Sequence, residues 1–166
     1  NNNYSKAVAY LIIEQQISFK AAITIKKKFN DLLSESKNFL EISDKDLKSI
    51  GISSRKVEYI KNVYEFFSQK EIDFDSLTDN DIILTLCEIK GVGSWTAQMF
   101  LLFILFREDI FSKKDLALIN SIKINYNITE LSDKKLNKLI RSWKPFNSIA
   151  SLLLWKSIEE KQFYIK

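Results

Sequence analysis

Residues Leu86 to Ala97 read Leu-Cys-Glu-Ile-Lys-Gly-Val-Gly-Ser-Trp-Thr-Ala, and Asp115 follows beyond the next apolar stretch. Two glycines, Gly91 and Gly93, let a backbone turn tightly with no Cβ in the way, the pattern of a helix-hairpin-helix turn. The turn and the start of the following helix, at Ser94, present backbone N–H groups that can hold a phosphate, with Lys90 beside them. Both glycines are expected to serve that role alike, so that a β-branched residue at either would weaken phosphate binding and spare the fold. A carboxylate just past the second helix, at Asp115, would stand near a nucleic acid held in this way. The pairing points to chemistry on DNA.

Charge and absences bound the reading. The chain has 166 residues and a net charge of +4, enough for one packed domain or two intimately packed lobes. From Phe111 to Lys166 there are 11 Lys and Arg against 5 Asp and Glu, whereas the first 110 residues carry 14 against 16. A basic C-terminal third suits a partner with phosphates, or simply a solvated lysine-rich face. Histidine is absent, which removes imidazole acid–base chemistry and His-ligated metals. Cys87 is the only cysteine, so neither an internal disulfide nor a four-cysteine iron–sulfur cluster can form. No cofactor is required by what remains. Phe100 to Phe106 is too short an apolar stretch to cross a bilayer, and Ala7 to Ile13 lacks the flanks of a signal peptide. The expected setting is therefore a reducing compartment away from membranes: cytoplasm or nucleoid in a bacterium, nucleus in a eukaryote. Met99 is the only methionine, and the natural chain is expected to start upstream of Asn1.

The elements that must position these residues read as helices throughout. Val8, Leu11 and Ile12 share a helical face, and Ser18 suits the cap of a second helix with Ala21, Ala22, Ile25 and Phe29. Ser43–Asp46 and Thr78–Asp81 have the form of capping boxes, and the first opens a short helix that stops at Gly51. Val57, Ile60, Val63, Tyr64 and Phe67 predict a helix over 54–69. The most apolar helix is expected from Ser94 to Phe106, at the centre of the fold. Two more follow Asp115 and Ser132, with Pro145 in the first turn of the last. No alternating strand pattern occurs. The fold class is all-α.

Four separated stretches then agree: Glu14-Gln-Gln-Ile-Ser18 with Ala21-Ala22; Leu47 through Lys56; Ile89 through Ala97 and on to Asp115; and Arg141-Ser-Trp-Lys-Pro-Phe-Asn-Ser-Ile-Ala150 ending at Trp155. In order and spacing the chain resembles the helix-hairpin-helix DNA glycosylases, and among them the DNA-3-methyladenine glycosylase II type. The resemblance implies two helical lobes, residues 30–112 with the hairpin and residues 1–29 plus 113–166, with a DNA and base-binding cleft between them. It implies a partner, double-stranded DNA containing damaged bases, acted on by a monomer.

The resemblance also assigns roles. Asp115 matches the catalytic aspartate, a carboxylate that would stabilise positive charge developing on the deoxyribose and orient or deprotonate the attacking water; it equally suits the cap of a helix beginning at Leu116, and the two roles can coexist. Lys114, where relatives often carry an acidic or small residue, could touch a phosphate. Strand-cleaving relatives place a Schiff-base lysine where this chain has Trp95, so base removal without AP lyase activity is implied. Trp95, Met99 and Phe146 match the pocket that receives a flipped base, whose π-faces attract cationic alkylated purines. Relatives often have Tyr at Met99 and Trp at Phe146, which leaves the breadth of substrates open. Tyr10 and Trp143 are further candidate walls, with core packing the simpler role for each. Gln16 matches the region that fills the gap left by the flipped base. Arg55 and Lys56 read as surface cations of a turn that packs the lobes. Carbonyls of Ile89 and Val92 match a monovalent-cation site of some relatives.

The reading is thus a monofunctional glycosylase for alkylated bases of the 3-methyladenine and 7-methylguanine type, starting base-excision repair. A non-catalytic helix-hairpin-helix DNA-binding protein is the alternative from another class, and a buried or averted Asp115 would favour it. A glycosylase for another damaged base is the third.

Overall fold

The computed structural model describes residues 3–161 and 163. Among these residues there are nine α-helices and one short 3₁₀ turn, and no strand. Their contacts gather into two compact units, Asn1–Phe100 and Leu101–Lys166.

The first unit contains α1 (Tyr4–Glu14), α2 (Phe19–Glu35), the 3₁₀ turn Phe39–Glu41, α3 (Asp44–Ser49), α4 (Ser54–Gln69), α5 (Asp79–Cys87) and most of α6 (Ser94–Phe103). The caps expected at Ser18, Ser43 and Thr78 are in place, and Ser53, not foreseen as a cap, acts in the same way. Ser18, Ser43, Ser53 and Thr78 each accept the amide three residues on, satisfying donors that a helix start leaves without partners. α3 ends where Gly51 takes φ +102°, a left-handed conformation that glycine adopts without penalty. α1 lies against α4 and α2, and the buried positions Val8, Leu11 and Ile12 on α1 and Val57, Ile60 and Val63 on α4 account for that pairing. Phe74 lies 5.1 Å from the ring of Phe100 and 4.9 Å from that of Tyr4, edge-on to the latter. The contacts divide after Phe100, with α1 and α2 in the same unit as α4.

The second unit holds α7 (Leu116–Asn125), α8 (Asp133–Ser142) and α9 (Asn147–Glu159) around Phe111, Leu118, Ile122, Leu136 and Leu154. α7 packs on α9, and small polar residues sit at the contact. Ser121 Oγ donates to the Leu154 carbonyl at 2.8 Å and lies 2.8 Å from Ser157 Oγ. Asn125 Nδ2 donates to the Ser121 carbonyl at 3.0 Å and to Ser157 Oγ at 3.0 Å. Buried polar atoms are tolerated here because each is satisfied.

Two boundaries differ from expectation. α6 ends at Phe103 rather than Phe106: Phe106 takes φ +53°, and the Arg107 amide turns back onto the Leu101 carbonyl at 2.9 Å. Pro145 precedes α9 instead of lying in its first turn. The Phe146 amide is spent on the Trp143 carbonyl at 2.7 Å, which closes a turn there, and Phe146 is the cap. The Lys144–Pro145 peptide is cis.

Ser121 is fully buried, so Ser121→Val should overfill the α7–α9 contact and strip its hydrogen bonds. The expected cost is about 1–3 kcal/mol, read as a lower urea midpoint with unchanged slope; an unchanged midpoint would mean that the contact has slack.

Candidate functional site

The hairpin joins α5 to α6 through residues 88–93, and α4 braces it from below. Gly91 has φ +102°, and a Cβ built there would lie 2.1 Å from Tyr59 Cγ. No side chain fits. Asn62 Nδ2 donates to the Lys90 carbonyl at 3.3 Å, and Lys90 Nζ reaches Glu58 Oε1 at 2.5 Å. That exposed pair raises the Lys90 pKa, chiefly through the hydrogen bond to Glu58, and keeps the lysine a cation. Gly93 is different: nothing lies within 4 Å of the Cβ position, and its φ is not left-handed. The two glycines therefore do separate jobs, which corrects the expectation that they are equivalent. Gly91 is a packing requirement, whereas Gly93 keeps open the space in front of α6, whose first helical bond runs from the Ala97 amide to the Gly93 carbonyl at 3.0 Å. Ser94 begins that helix and is half-buried.

Trp95 and Met99 fall one turn apart on one face of α6. Trp95 is half-buried and Met99 is core, at 2% exposure. The Ile89 carbonyl accepts the Val92 amide at 3.0 Å, which leaves it one lone pair for a cation. Among the described residues no cluster of three or more His, Cys, Asp or Glu could hold a metal ion.

In the second unit Asp115 caps α7: Oδ1 accepts the Leu118 amide at 3.0 Å, and its own amide donates to the Ser112 carbonyl at 3.1 Å. The residue is 9% exposed. Lys114 beside it is exposed. The segment leading to Asp115 is pinned to α9 in a way that sequence reasoning missed. Ser148 Oγ accepts the Ile110 amide at 3.0 Å and donates to the Arg107 carbonyl at 2.5 Å, the Ser148 amide donates to the Glu108 carbonyl at 2.9 Å, and Ser151 Oγ donates to the Ile110 carbonyl at 3.2 Å. Asn147 and Lys144 both bind the Asp109 carboxylate. The available signal was Ser148 and Ser151, three residues apart in the first turns of α9.

Phe146 is 53% exposed and lines a cavity of about 800 Å³ with Tyr126, Trp143, Ile149 and Leu153. Trp143 thus shares a wall with Phe146. This cavity also touches Asn125 and Tyr126 at the end of α7, the end opposite Asp115, and ten helical residues span about 15 Å. This cavity is not at the carboxylate. Tyr10, in the first unit, is used in packing: its hydroxyl donates to Asn30 Oδ1 at 2.5 Å and its ring lies against Phe29. Part of the basic surplus lies along α8, where Lys134, Lys138 and Arg141 are exposed at spacings of four and three.

Gln16 sits in the turn between α1 and α2, exposed, with φ +57°. Lys56, read from sequence as a surface cation, is half-buried and donates to the Ile13 and Gln15 carbonyls at 2.8 and 2.5 Å. Burial, and then the neighbouring Arg55, hold its pKa below the usual lysine value. Gln15 Nε2 donates to Thr96 Oγ1 at 3.0 Å.

A glycine turn between α5 and α6 that opens onto an apolar helix is a helix-hairpin-helix arrangement, and an acidic cap opens the helix after it. Residues 9–146 match the HhH-GPD superfamily base excision DNA repair protein family, and the chain belongs to it. It is 31% identical over 162 residues to a Bacillus subtilis protein provisionally named a DNA-3-methyladenine glycosylase, covering 89% of this chain and 56% of that one. It is 30% identical over 158 residues to DNA-3-methyladenine glycosylase 1 of Schizosaccharomyces pombe, covering 88% and 68%. Among solved structures it is similar to a DNA-3-methyladenine glycosidase from Bacillus halodurans, with a TM-score of 0.81, 32% identity, and 99% and 81% of the two chains covered. An S. pombe 3-methyladenine DNA glycosylase in complex with abasic DNA gives a TM-score of 0.81 at 25% identity, with 93% and 80% covered. The chain thus spans just over half the length of the Bacillus subtilis relative. No helix among the described residues is long and apolar enough to cross a membrane.

The two glycines predict opposite phenotypes. Gly93→Val should leave the melting temperature within about 2–4 °C of wild type, the shift that roughly 1 kcal/mol gives a chain of this size, yet weaken duplex binding in fluorescence anisotropy. Gly91→Val should lower the melting temperature well beyond that, because it must displace the Tyr59 ring. The reverse pattern would overturn the assignment of roles.

Proposed function

We propose that this protein is a monofunctional DNA glycosylase that hydrolyses the N-glycosidic bond of alkylated bases, of the 3-methyladenine and 7-methylguanine type, in double-stranded DNA. The observation that carries the proposal is Asp115: a carboxylate held at a helix start, in a chain about 30% identical along nearly all its length to proteins named for 3-methyladenine. Breaking the bond sends its electron pair onto the departing base and leaves positive charge on the sugar. A carboxylate fixed in advance stabilises that charge without reorganising. Water then adds its oxygen to the sugar carbon, its proton passing to Asp115 or solvent, and an abasic site remains. A base already cationic through alkylation leaves as a neutral molecule, so the pocket need not protonate it.

Trp95, Met99 and Phe146 receive the flipped base in this reading, and Gln16 fills its place in the stack. The hairpin, with Lys90, Gly93, Ser94 and a monovalent cation at the carbonyls of Ile89 and Val92, holds a phosphate, and Lys114 holds another. The enzyme works where the genome is, in the cytoplasm or nucleoid of a bacterium or the nucleus of a eukaryote.

One observation favours the second reading, a DNA-binding protein without catalysis. Asp115 is largely buried and one of its oxygens is engaged in the cap. Asp115→Asn separates the two. Asn caps about as well as Asp, so the fold should persist, while single-turnover release of 7-methylguanine should fall by about 10²–10³. Damaged-DNA binding should hold or tighten slightly with one negative charge gone. Wild-type rates in the Asn variant would reduce Asp115 to a cap; no abasic product from the wild-type protein on any single-lesion duplex would leave the binding reading.

Because Trp95 stands where strand-cleaving relatives have a lysine, borohydride added during turnover should trap no protein–DNA adduct. An efficiently trapped species would overturn the monofunctional assignment and direct attention to Lys114.

A further inference from the structure

Gln16 is a non-glycine residue in the left-handed region, where few such residues are found unless their surroundings impose it. The surroundings are unusually explicit. α1 ends at Glu14, and past the bond from the Gln15 amide to the Ile12 carbonyl its last carbonyls have no partner within the helix. The ammonium of Lys56, from the first turn of α4, donates to two of the carbonyls at this end, those of Ile13 and Gln15. A cation there also meets the negative end of the helix dipole. Gln15 is held a second time, by its side chain, to Thr96 Oγ1 on α6, and Thr96 is 3% exposed. The residue immediately before Gln16 is therefore fixed at its carbonyl and at its amide group. On the other side Ser18 caps α2 and accepts the Ala21 amide at 3.3 Å. Between these anchors only Gln16 and Ile17 remain, both exposed.

We infer that Lys56 is a positioning residue: it fixes the end of α1 so that Gln16 is presented in a set direction to the duplex, as a rigid wedge rather than a loose arm. The inference rests on the reading of Gln16 as the residue that fills the gap left by the flipped base. A wedge has to arrive in the stack before the base swings back, and a side chain on an unconstrained turn would give up backbone freedom each time it did so. With the turn already ordered by the fold, that loss falls on folding rather than on binding. The bland role for Lys56 is a helix C-terminal cap that contributes stability and nothing else, and the experiment separates the two.

Base opening is followed by the fluorescence of 2-aminopurine placed opposite or beside the target position in a duplex, together with single-turnover excision of 7-methylguanine. The variants are Gln16→Ala, Lys56→Met, the double variant and Lys56→Arg, with Thr96→Val as an independent way to loosen Gln15. Lys56→Met should lower the amplitude of base opening and the excision rate as Gln16→Ala does, by up to about 10²-fold, the loss typical of a small misplacement. The double variant should be no worse than the poorer single one, and Lys56→Arg should recover part of the loss. If Lys56→Met does not fold, Thr96→Val combined with Gln16→Ala carries the same test of non-additivity. Losses that multiply, or a Lys56→Met variant that melts lower but opens the base normally, would overturn the inference. An unaffected Gln16→Ala variant would instead sink the wedge reading on which it rests. The fluorescence readout needs no excision, so it stands even where the catalytic proposal fails.

Discussion

Tyr59 leaves no room for a side chain at residue 91. A hypothetical Cβ there would lie 2.1 Å from Tyr59 Cγ and 2.5 Å from its Cβ, so the hairpin backbone rests directly on the root of that side chain. Everything downstream inherits that contact. The path of residues 88–93 sets where α6 starts, and α6 carries Trp95, Thr96 and Met99 at fixed angles around one axis. Through Thr96 the same helix reaches the Gln15 side chain, so the α1–α2 turn is tied to the hairpin as well. α4 supplies the underside of both features, with Tyr59 and Asn62 under the hairpin and Lys56 under the turn. One amphipathic helix thus sets the geometry of two surface elements.

Asp115 illustrates a different economy. Its carboxylate terminates α7, an ordinary structural use, and the same hydrogen bond from Leu118 orients it. A cap is immobile by construction, because both the acceptor and its donor belong to one helical turn. Electrostatic stabilisation of a developing cation requires that immobility. At 9% exposure the carboxylate is also largely withdrawn from water. The pinning of residues 107–110 onto Ser148 and Ser151 extends the rigidity back along the chain, so the approach to Asp115 is held at its start and at its end.

Helix positions were legible in the sequence wherever a cap residue preceded a periodic apolar run: Ser18, Ser43, Thr78, Asp115 and Ser132 all behave as caps. The failures share a physical cause. α6 looked longer because Ile104, Leu105 and Phe106 continue the apolar run, but apolar residues also occupy turns, and Phe106 leaves the helix at 78% exposure. Pro145 looked like a helix residue because proline suits a first turn, and nothing local announced that the Phe146 amide would be taken by Trp143. The family motif put Gly91, Gly93, Asp115 and Gln16 on the page together, yet it could not separate the two glycines, whose difference lies in a residue thirty positions away. Lys56 was misread for the same reason: whether a lysine is a surface charge or a clamp depends on which carbonyls the fold brings to it.

Local rules are broken at several places in this chain, and three of them fall on residues that the family motif singles out. Gln16 occupies a conformation that disfavours side chains, Asp115 is an acid in a largely buried position, and Gly93 is a gap on a helix start. Such conflicts persist only where neighbouring interactions over-determine them. For Gln16 the compensation is the Lys56 ammonium and Thr96; for Asp115 it is the cap. Gly93 has no compensation and needs none, because an open Cβ position costs the folded state only backbone entropy. Packing within the chain makes no demand on the open position at Gly93, whereas at Gly91 it excludes any side chain.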